Sequence, residues 1–539
     1  MSGYDILLTG GTVVDGTDPG SPGPNGSAGD GGTGVGPRRA DVGIRDGRIV
    51  AVGDLGADVS ARTVLDVTGR YVLPGFVDSH VHADAVLTRP DVQEAMLRQG
   101  VTSVVLGQDG LSFAPGSAET VAYVARYFAA VDGTPPPELA AGCTVAQLLD
   151  FYDRRTPVNV SYLVPLGTVR HEVLGPDDHP AGDRLPELVR LVEQGLDEGA
   201  VGVSTGLEYV PGVFADFDEL ATLCRVAAAV GVPYVSHLRS YDGGHAPGMV
   251  EARDLGRTTG VPIHVSHLRG RAEPLLAHLA DCAADGVDAT FDVYPHIYGN
   301  TILAMKALPP QVQAGGVEAT LRRLADPAVR AELRANWFPR VSTDLAPAIL
   351  GYVAGRTFRW AEGRTLAQAC AESGLDLPDL LCDLLLDSDL AVGAIIPAPG
   401  GDESDLRAML RDDRHVGCSD AIYLGGHPHP RGWGAFARFL GHHTRELGDW
   451  TWPQAAWHLA GHPARRFQLT DRGRLAEGAV ADVVVVDPER VGDRATYDHP
   501  RQLADGVDDV LVAGELVLTG GELTGATPGR ALRRGEAGR

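Results

Sequence analysis

Four histidines and one aspartate stand where a chain of strands and helices could gather them. Gly75-Phe76-Val77-Asp78-Ser79-His80-Val81-His82 closes one apolar run. Side chains alternate along a strand with a period of two, so His80 and His82 face the same way. His237 ends the run Val235-Ser236-His237, His267 ends Val265-Ser266-His267, and Asp420 ends Cys418-Ser419-Asp420. Any one of these histidines alone reads as a hydrogen-bonded core residue. Four imidazoles and a carboxylate, all at strand ends, read together as a transition-metal site with Zn²⁺ the default. Asp420 has two compatible readings, as a metal ligand and as a proton shuttle. Zinc acidifies water toward a pKa of about 7. A carboxylate within reach takes the proton and returns it to a leaving amine.

The elements that must position these residues follow from hydrophobic patterning. From Tyr71 onward short apolar runs alternate with amphipathic stretches. The runs are Tyr71–Val77, Thr102–Leu106, Val158–Val164, Val201–Ser204, Tyr234–Ser236, Ile263–Ser266, Ala289–Val293 and Val416–Ser419. Helical stretches include Leu185–Glu198, Phe217–Val230 and Pro274–Ala284. Alternating strands and helices make a parallel sheet, and eight such runs predict an α/β fold, a (β/α)₈ barrel. Barrel active sites lie at the C-terminal strand ends, where the five residues sit. The span Ile302–Arg414 is too long for one crossover and holds an insertion, mostly helical in composition.

Both chain ends read as strands: Tyr4–Leu8, Val13–Val14, Asp41–Ile44, Arg48–Val52 and Thr63–Asp66 at one, and Ala481–Val486, Val507–Val512 and Glu515–Leu518 at the other. Asp46-Gly47 is a hairpin turn signal. The Gly- and Pro-rich stretch Gly16–Pro37 reads as a flexible loop. The expected organisation is a small β-sandwich domain from residues 1–70 and 471–539 flanking a catalytic barrel over 71–470.

Composition narrows the partners. Acidic residues outnumber basic ones, 71 to 46, for a net charge of −25. Such a chain repels phosphate backbones, which argues against nucleic acid and anionic membrane. Six widely spaced cysteines without a CxxC pair, no visible secretory signal and no apolar run near membrane-spanning length fit a cytoplasmic protein. A homo-oligomer stays open.

The chain resembles the amidohydrolase superfamily and, more narrowly, the N-acyl-D-amino-acid deacylases (D-aminoacylases). The matching stretches are residues 75–82, then Gly199-Ala200-Val201-Gly202-Val203-Ser204-Thr205-Gly206-Leu207-Glu208-Tyr209-Val210-Pro211-Gly212, Asp292-Val293-Tyr294-Pro295, His429-Pro430-Arg431 and the tail from Asp471 to Arg530. The resemblance implies the barrel, the small β-domain, and zinc-dependent hydrolysis of the amide bond of a small N-acyl-D-amino acid. One tight zinc is expected, with a second site that is weak or empty. By the same resemblance Arg431 holds the substrate's α-carboxylate, Tyr209 and Tyr294 line the pocket, and Arg269 stands where the family often has lysine.

Two departures matter. Many relatives bridge two metals with a carbamylated lysine on strand four. Here that position is Ser204, and Lys306, after strand seven, is the only lysine in the chain. The deacylases usually place a cysteine after strand two, in an Asn-Cys-Gly turn, where this chain has Gln108-Asp109-Gly110. Asp109 is expected to replace the thiolate as an oxygen ligand, with Glu208 the alternative bridging carboxylate. The residues Thr301–Met305 point to apolar side chains on the substrate, whereas Lys306, if it faces the pocket, would favour an acidic one. Cyclic-amide hydrolysis is disfavoured by the missing strand-four lysine, and nucleobase deamination by the lack of a Glu after His237. Dipeptide hydrolysis and a metal-free scaffold are the remaining rivals.

Overall fold

The computed structural model describes residues 3–20, 36–56, 59–239, 245–397 and 401–536. Its centre is a barrel of eight parallel strands: β1 (Phe76–Asp78), β2 (Val101–Leu106), β3 (Asn159–Pro165), β4 (Gly202–Gly206), β5 (Tyr234–His237), β6 (Ile263–Val265), β7 (Ala289–Val293) and β8 (His415–Gly417). Each pairs with the next in sequence order. Every residue of β2, β3 and β4 is buried, as expected of strands covered on both faces, which read as apolar runs without alternation.

The seam between β8 and β1 closes through side chains and one backbone hydrogen bond, from the Ser79 N–H to the Gly417 carbonyl at 3.4 Å. Ser79 Oγ donates to the Gly417 carbonyl at 2.9 Å, and Asp78 accepts from the Ser419 N–H at 2.8 Å. Beyond it Val81–His82 pairs in parallel with Ala421–Ile422, and Asp420 N–H donates to the His80 carbonyl at 2.7 Å. The segments carrying His80, His82 and Asp420 are thus tied to one another by backbone hydrogen bonds.

The first apolar run is divided. Tyr71–Pro74, expected as part of the first barrel strand, pairs with Tyr4–Val13 and Val483–Val486 in the flanking sheet, and only Phe76–Asp78 enters the barrel. Gly75 is the joint: a Cβ there would fall 2.2 Å from Thr102 Oγ1. The sandwich expected from the chain ends is one hydrogen-bonded sheet of nine strands drawn from both ends. Its core mixes Ile6, Val42 and Val72 with Val483 and Leu511. Asp46 and Gly47 form the expected hairpin turn, with φ of 50° and 73°. Of the loop expected over 16–37, residues 21–35 lie outside the described residues.

Asp482 joins the sheet to the barrel, accepting from Asn159 Nδ2 at 3.0 Å and from Arg472. The tail does not end in the small domain. Val160 N–H donates to the Arg530 carbonyl at 2.9 Å and Leu532 N–H to the Val160 carbonyl at 2.7 Å, so the last described residues extend along β3. The insertion after β7 carries, besides its helices, a three-stranded antiparallel sheet of Tyr298–Ile302, Val392–Pro397 and Ile349–Val353. This sheet puts the insertion over the mouth of the barrel. No helix among the described residues is long and apolar enough to cross a membrane.

Candidate metal centre

Asp109 is at the centre of the site. The turn after β2 runs through three left-handed residues, Gly107, Asp109 and Gly110, with φ of 75°, 53° and 71°. Aspartate is among the few non-glycine residues that tolerate this region. A Cβ on Gly110 would lie 2.7 Å from Gly206 N, so only glycine lets the turn press on the end of β4. Ser204 holds the turn there. Its Oγ donates to the Gly107 carbonyl at 2.5 Å and accepts from the Gly110 N–H at 3.2 Å. The serine at the strand-four position therefore supports the turn that delivers Asp109.

The Asp109 carboxylate lies within ligand-sharing distance of all four histidines. Oδ1 is 3.6 Å from His80 Nε2 and 3.6 Å from His267 Nε2. Oδ2 is 3.7 Å from His82 Nε2 and 3.6 Å from His237 Nδ1. His237 Nδ1 and His267 Nε2 are 3.2 Å apart. On the other side Asp420 Oδ1 is 3.7 Å from His80 Nε2 and 3.5 Å from His82 Nε2. Zinc bonds of about 2.0–2.2 Å at tetrahedral angles set neighbouring ligand atoms about 3.3–3.6 Å apart. The spacing, the N/O donor set, and the buried His80 Nε2 and Asp109 Oδ1, without hydrogen-bond partners among the described residues, all fit such an ion. Burial alone would raise the Asp109 pKa, but the His237 and His267 imidazoles hold its carboxyl well below the usual range.

Three of the histidines have a carboxylate on the opposite nitrogen. Asp132 Oδ1 lies 3.2 Å from His82 Nδ1, Asp292 Oδ2 lies 3.5 Å from His80 Nδ1, and Glu208 Oε2 lies 3.2 Å from His237 Nε2. Such partners fix the tautomer and aim the other nitrogen at a metal. Asp292 also accepts from His264 Nε2 at 2.9 Å, the His267 N–H at 2.7 Å and Cys418 Sγ at 3.1 Å. Its hydrogen bond to the His267 N–H anchors a residue whose own φ is 36°. Cys418 is a buried residue whose thiol is pushed well above its ordinary pKa by burial and by Asp292.

Glu208 does not face the cluster centre; it lies behind His237, 3.3 Å from Lys306 Nζ. Burial would raise its pKa, but Lys306 and His237 bring the carboxyl down to about 2.

Beside the cluster is a cavity lined by Asp109, Asp420, Tyr209, Arg269, Tyr294 and Lys306, among others. Arg431 Nη1 is 2.8 Å from Asp420 Oδ2, and the guanidinium lies 4.3 Å from the Tyr294 ring centroid. Arg269 lies 4.8 Å from the same centroid. Both arginines keep buried N–H groups without hydrogen-bond acceptors among the described residues, Nε and Nη2 on Arg431, Nε and Nη1 on Arg269. Donors left unsatisfied on two cations beside one ring mark a place for an anion. Arg431 itself is fully buried. Against burial, which would raise it, Arg431 holds the Asp420 carboxyl below its ordinary pKa. The Tyr209 hydroxyl pairs with Thr301 Oγ1 at 2.8 Å.

All the residues singled out in the sequence thus meet at one end of the barrel. Sequence reasoning did not assign Asp132 or Asp292. Asp292 carried a usable signal, a carboxylate near the C-terminal end of β7. Asp132 carried none, because it reaches His82 from a loop with no periodic pattern.

A closed parallel barrel with imidazoles and carboxylates converging at its C-terminal strand ends is the architecture of a metal-dependent barrel hydrolase. Residues 63–518 match the family model of the amidohydrolase family, and the chain belongs to that family. It is 32% identical to a D-aminoacylase of Alcaligenes xylosoxydans xylosoxydans, with 98% of each chain covered. It is 33% identical to an N-acyl-D-glutamate deacylase of the same organism, over 98% of this chain and 96% of that one. Among solved structures, an N-acyl-D-glutamate deacylase from Bordetella bronchiseptica, complexed with zinc and a phosphonate inhibitor that mimics the tetrahedral intermediate, superimposes with a TM-score of 0.82. That likeness has 31% identity and covers 99% of this chain and 100% of that one.

Proposed function

We propose that this chain hydrolyses N-acyl-D-amino acids, releasing a carboxylate and a free D-amino acid. The observation that carries the reading is the Asp109-centred cluster of four imidazoles beside a cavity lined by Arg269, with Arg431 buried against the same Tyr294 ring and both guanidinium groups keeping N–H donors without acceptors among the described residues. The relatives named above act on N-acyl-D-amino acids, and one binds zinc beside a mimic of the tetrahedral intermediate, which supports the same chemistry here.

His237, His267 and Asp109 would hold the tight zinc, and His80, His82, Asp109 and Asp420 a second, weaker one. Zinc bound there supplies Lewis acidity, which acidifies water and polarises an amide carbonyl. The protein's own groups do the rest. Arg431 and Arg269 receive the α-carboxylate, a pairing that suits the planar guanidinium fork. Tyr294 lies against both guanidinium groups and keeps water from their faces. Asp420, kept ionised by Arg431, accepts a proton from the attacking water and delivers it to the nitrogen as the C–N bond breaks. Tyr209, pinned by Thr301, walls the cavity. Six free cysteines, five of them buried, support a reducing, cytoplasmic setting.

The test is a panel of N-acetyl-D- and N-acetyl-L-amino acids with zinc supplied. Hydrolysis of the D series with the L series left intact is the expected result. Equal rates on the two enantiomers, or no turnover of either, would overturn the reading.

A further inference from the structure

Arg431 is held in place by a histidine to which the proposed chemistry gives no part. Arg431 opens the helix Arg431–Arg438, whose first N–H groups have no partner within the helix. Its own N–H donates at 3.0 Å to Nδ1 of His429, a fully buried ring two residues earlier. A backbone N–H only donates, so Nδ1 is the acceptor and the proton of the neutral ring sits on Nε2. Nε2 lies 3.1 Å from the Tyr298 carbonyl, and the Tyr294 hydroxyl donates to that same carbonyl at 3.1 Å. Burial and then Arg431 keep the His429 pKa well below its ordinary value, in line with a neutral ring.

We propose that His429, as the neutral Nε2–H tautomer, is a positioning residue for the α-carboxylate clamp: its two nitrogens tie the Arg431 backbone to the carbonyl that also holds Tyr294. The proposal rests on the deacylase reading and adds to it the residue that sets the geometry of the clamp.

The clamp is assembled from separate elements. Tyr294 follows β7, Tyr298 opens the first strand of the insertion's sheet, and Arg431 starts a helix beyond β8. Yet the Arg431 guanidinium has to lie 4.3 Å from the Tyr294 ring centroid and 2.8 Å from Asp420 Oδ2 at once. His429 bonds to two of these three segments, and the Tyr298 carbonyl that it reaches holds the third. Tyr497, from between two strands of the nine-stranded sheet, backs the arrangement. Its ring lies 5.1 Å from His429 and 4.8 Å from Tyr298, and its hydroxyl 3.3 Å from His429 Nε2. Without the acceptor nitrogen, the Arg431 N–H would be left buried and unpaired where the helix begins. The two nitrogens can be tested apart. Asparagine puts an acceptor near the place of Nδ1, as in turns where a side-chain oxygen accepts the N–H two residues on. Glutamine puts its donor near the place of Nε2 and withdraws the acceptor.

The experiment compares kcat and KM for N-acetyl-D-leucine and its carboxamide in the zinc-loaded wild type, His429→Gln and His429→Asn, at a pH where Asp420 is ionised in all three. His429→Gln should keep its zinc and lose about tenfold in kcat/KM on N-acetyl-D-leucine, mostly through KM. The carboxamide, which lacks the clamped group, should lose less than about threefold. His429→Asn should recover most of the loss on N-acetyl-D-leucine. Equal losses on the two substrates, as from a residue that only supports the fold, would overturn the proposal while the deacylase reading stands. So would an unchanged KM in His429→Gln, or a His429→Asn as impaired as His429→Gln. If the wild type turns over neither compound, the deacylase reading falls. In that case, or if His429→Gln does not fold, the crystal structure of His429→Asn decides. The guanidinium should stay against Tyr294 only if the substituted side chain accepts from the Arg431 N–H. An intact clamp without that hydrogen bond, or a displaced guanidinium with it, overturns the proposal.

Discussion

Replacing Arg431 with methionine separates two roles that the geometry joins. The guanidinium is fully buried, lies 2.8 Å from the Asp420 carboxylate through Nη1, and keeps Nε and Nη2 without acceptors among the described residues. As a clamp on the α-carboxylate, its loss removes a desolvated charge pair worth about 2–5 kcal/mol. At about 1.4 kcal/mol per tenfold, kcat/KM for N-acetyl-D-leucine should fall by about 30-fold to several-thousand-fold. As the partner of Asp420, its loss has a second effect with a definite sign. The reaction needs Asp420 ionised, and Arg431 holds that carboxyl below its ordinary pKa against burial, which pushes it up. With Arg431 gone the largest downward influence on Asp420 is lost while burial and the histidines stay as they were, so the pKa rises. The acid limb of the kcat/KM profile should then move to higher pH, by about 1–3 pH units for the loss of an adjacent opposite charge. The assay is a pH–rate profile on N-acetyl-D-leucine and on its carboxamide, which lacks the α-carboxylate. The carboxamide should be a poor substrate of the wild type. It should escape the clamp effect in the variant yet show the same displacement of the acid limb. An acid limb that stays in place on both substrates would refute the Asp420 pairing as a kinetic element. Unchanged kinetics on N-acetyl-D-leucine would refute the clamp.

Further outcomes follow from the same contacts. Asp109→Ala should strip zinc and abolish turnover, whereas Glu208→Gln should retain most of the zinc, because Glu208 lies behind His237 and away from the cluster centre; metal analysis of the two purified variants reads this, and the reverse order would return the bridging role to Glu208. Asp132→Ala should weaken zinc binding by about 10–100-fold through the freed His82 ring, measured by competition with a chromogenic chelator, and full retention would deny Asp132 a positioning role. Ser204→Ala should lower activity by loosening the Asp109 turn, and activity should not respond to bicarbonate, since Ser204 cannot be carbamylated; stimulation by bicarbonate would show that another group carries a carbamate.

The barrel was legible in the sequence because buried parallel strands read as unbroken apolar runs, and because five ligand-type residues fell at the ends of those runs. What escaped has physical reasons. Tyr71–Val77 reads as one strand, since hydrophobicity does not register that Gly75 passes the chain from one sheet to another through close contact with Thr102. The sheet of the insertion was missed where helical composition dominates. Asp109 was identified by its place in a turn, but its reach to four imidazoles comes from three consecutive tertiary devices: left-handed backbone, Gly110 against Gly206, and Ser204 beneath. Asp132 lies far from His82 in sequence, and Asp420 and Arg431 belong to different elements, so no local period records either pairing.

The central claim is that Asp109 stands at the heart of a zinc centre. The most direct measurement is an anomalous difference map recorded at the zinc edge from crystals of the protein grown with zinc. The account predicts a strong peak bonded to Asp109, His237 Nδ1 and His267 Nε2, with any second, weaker peak between His80 and His82. A map without a peak at Asp109, or a lone zinc bound only through Glu208, would contradict it.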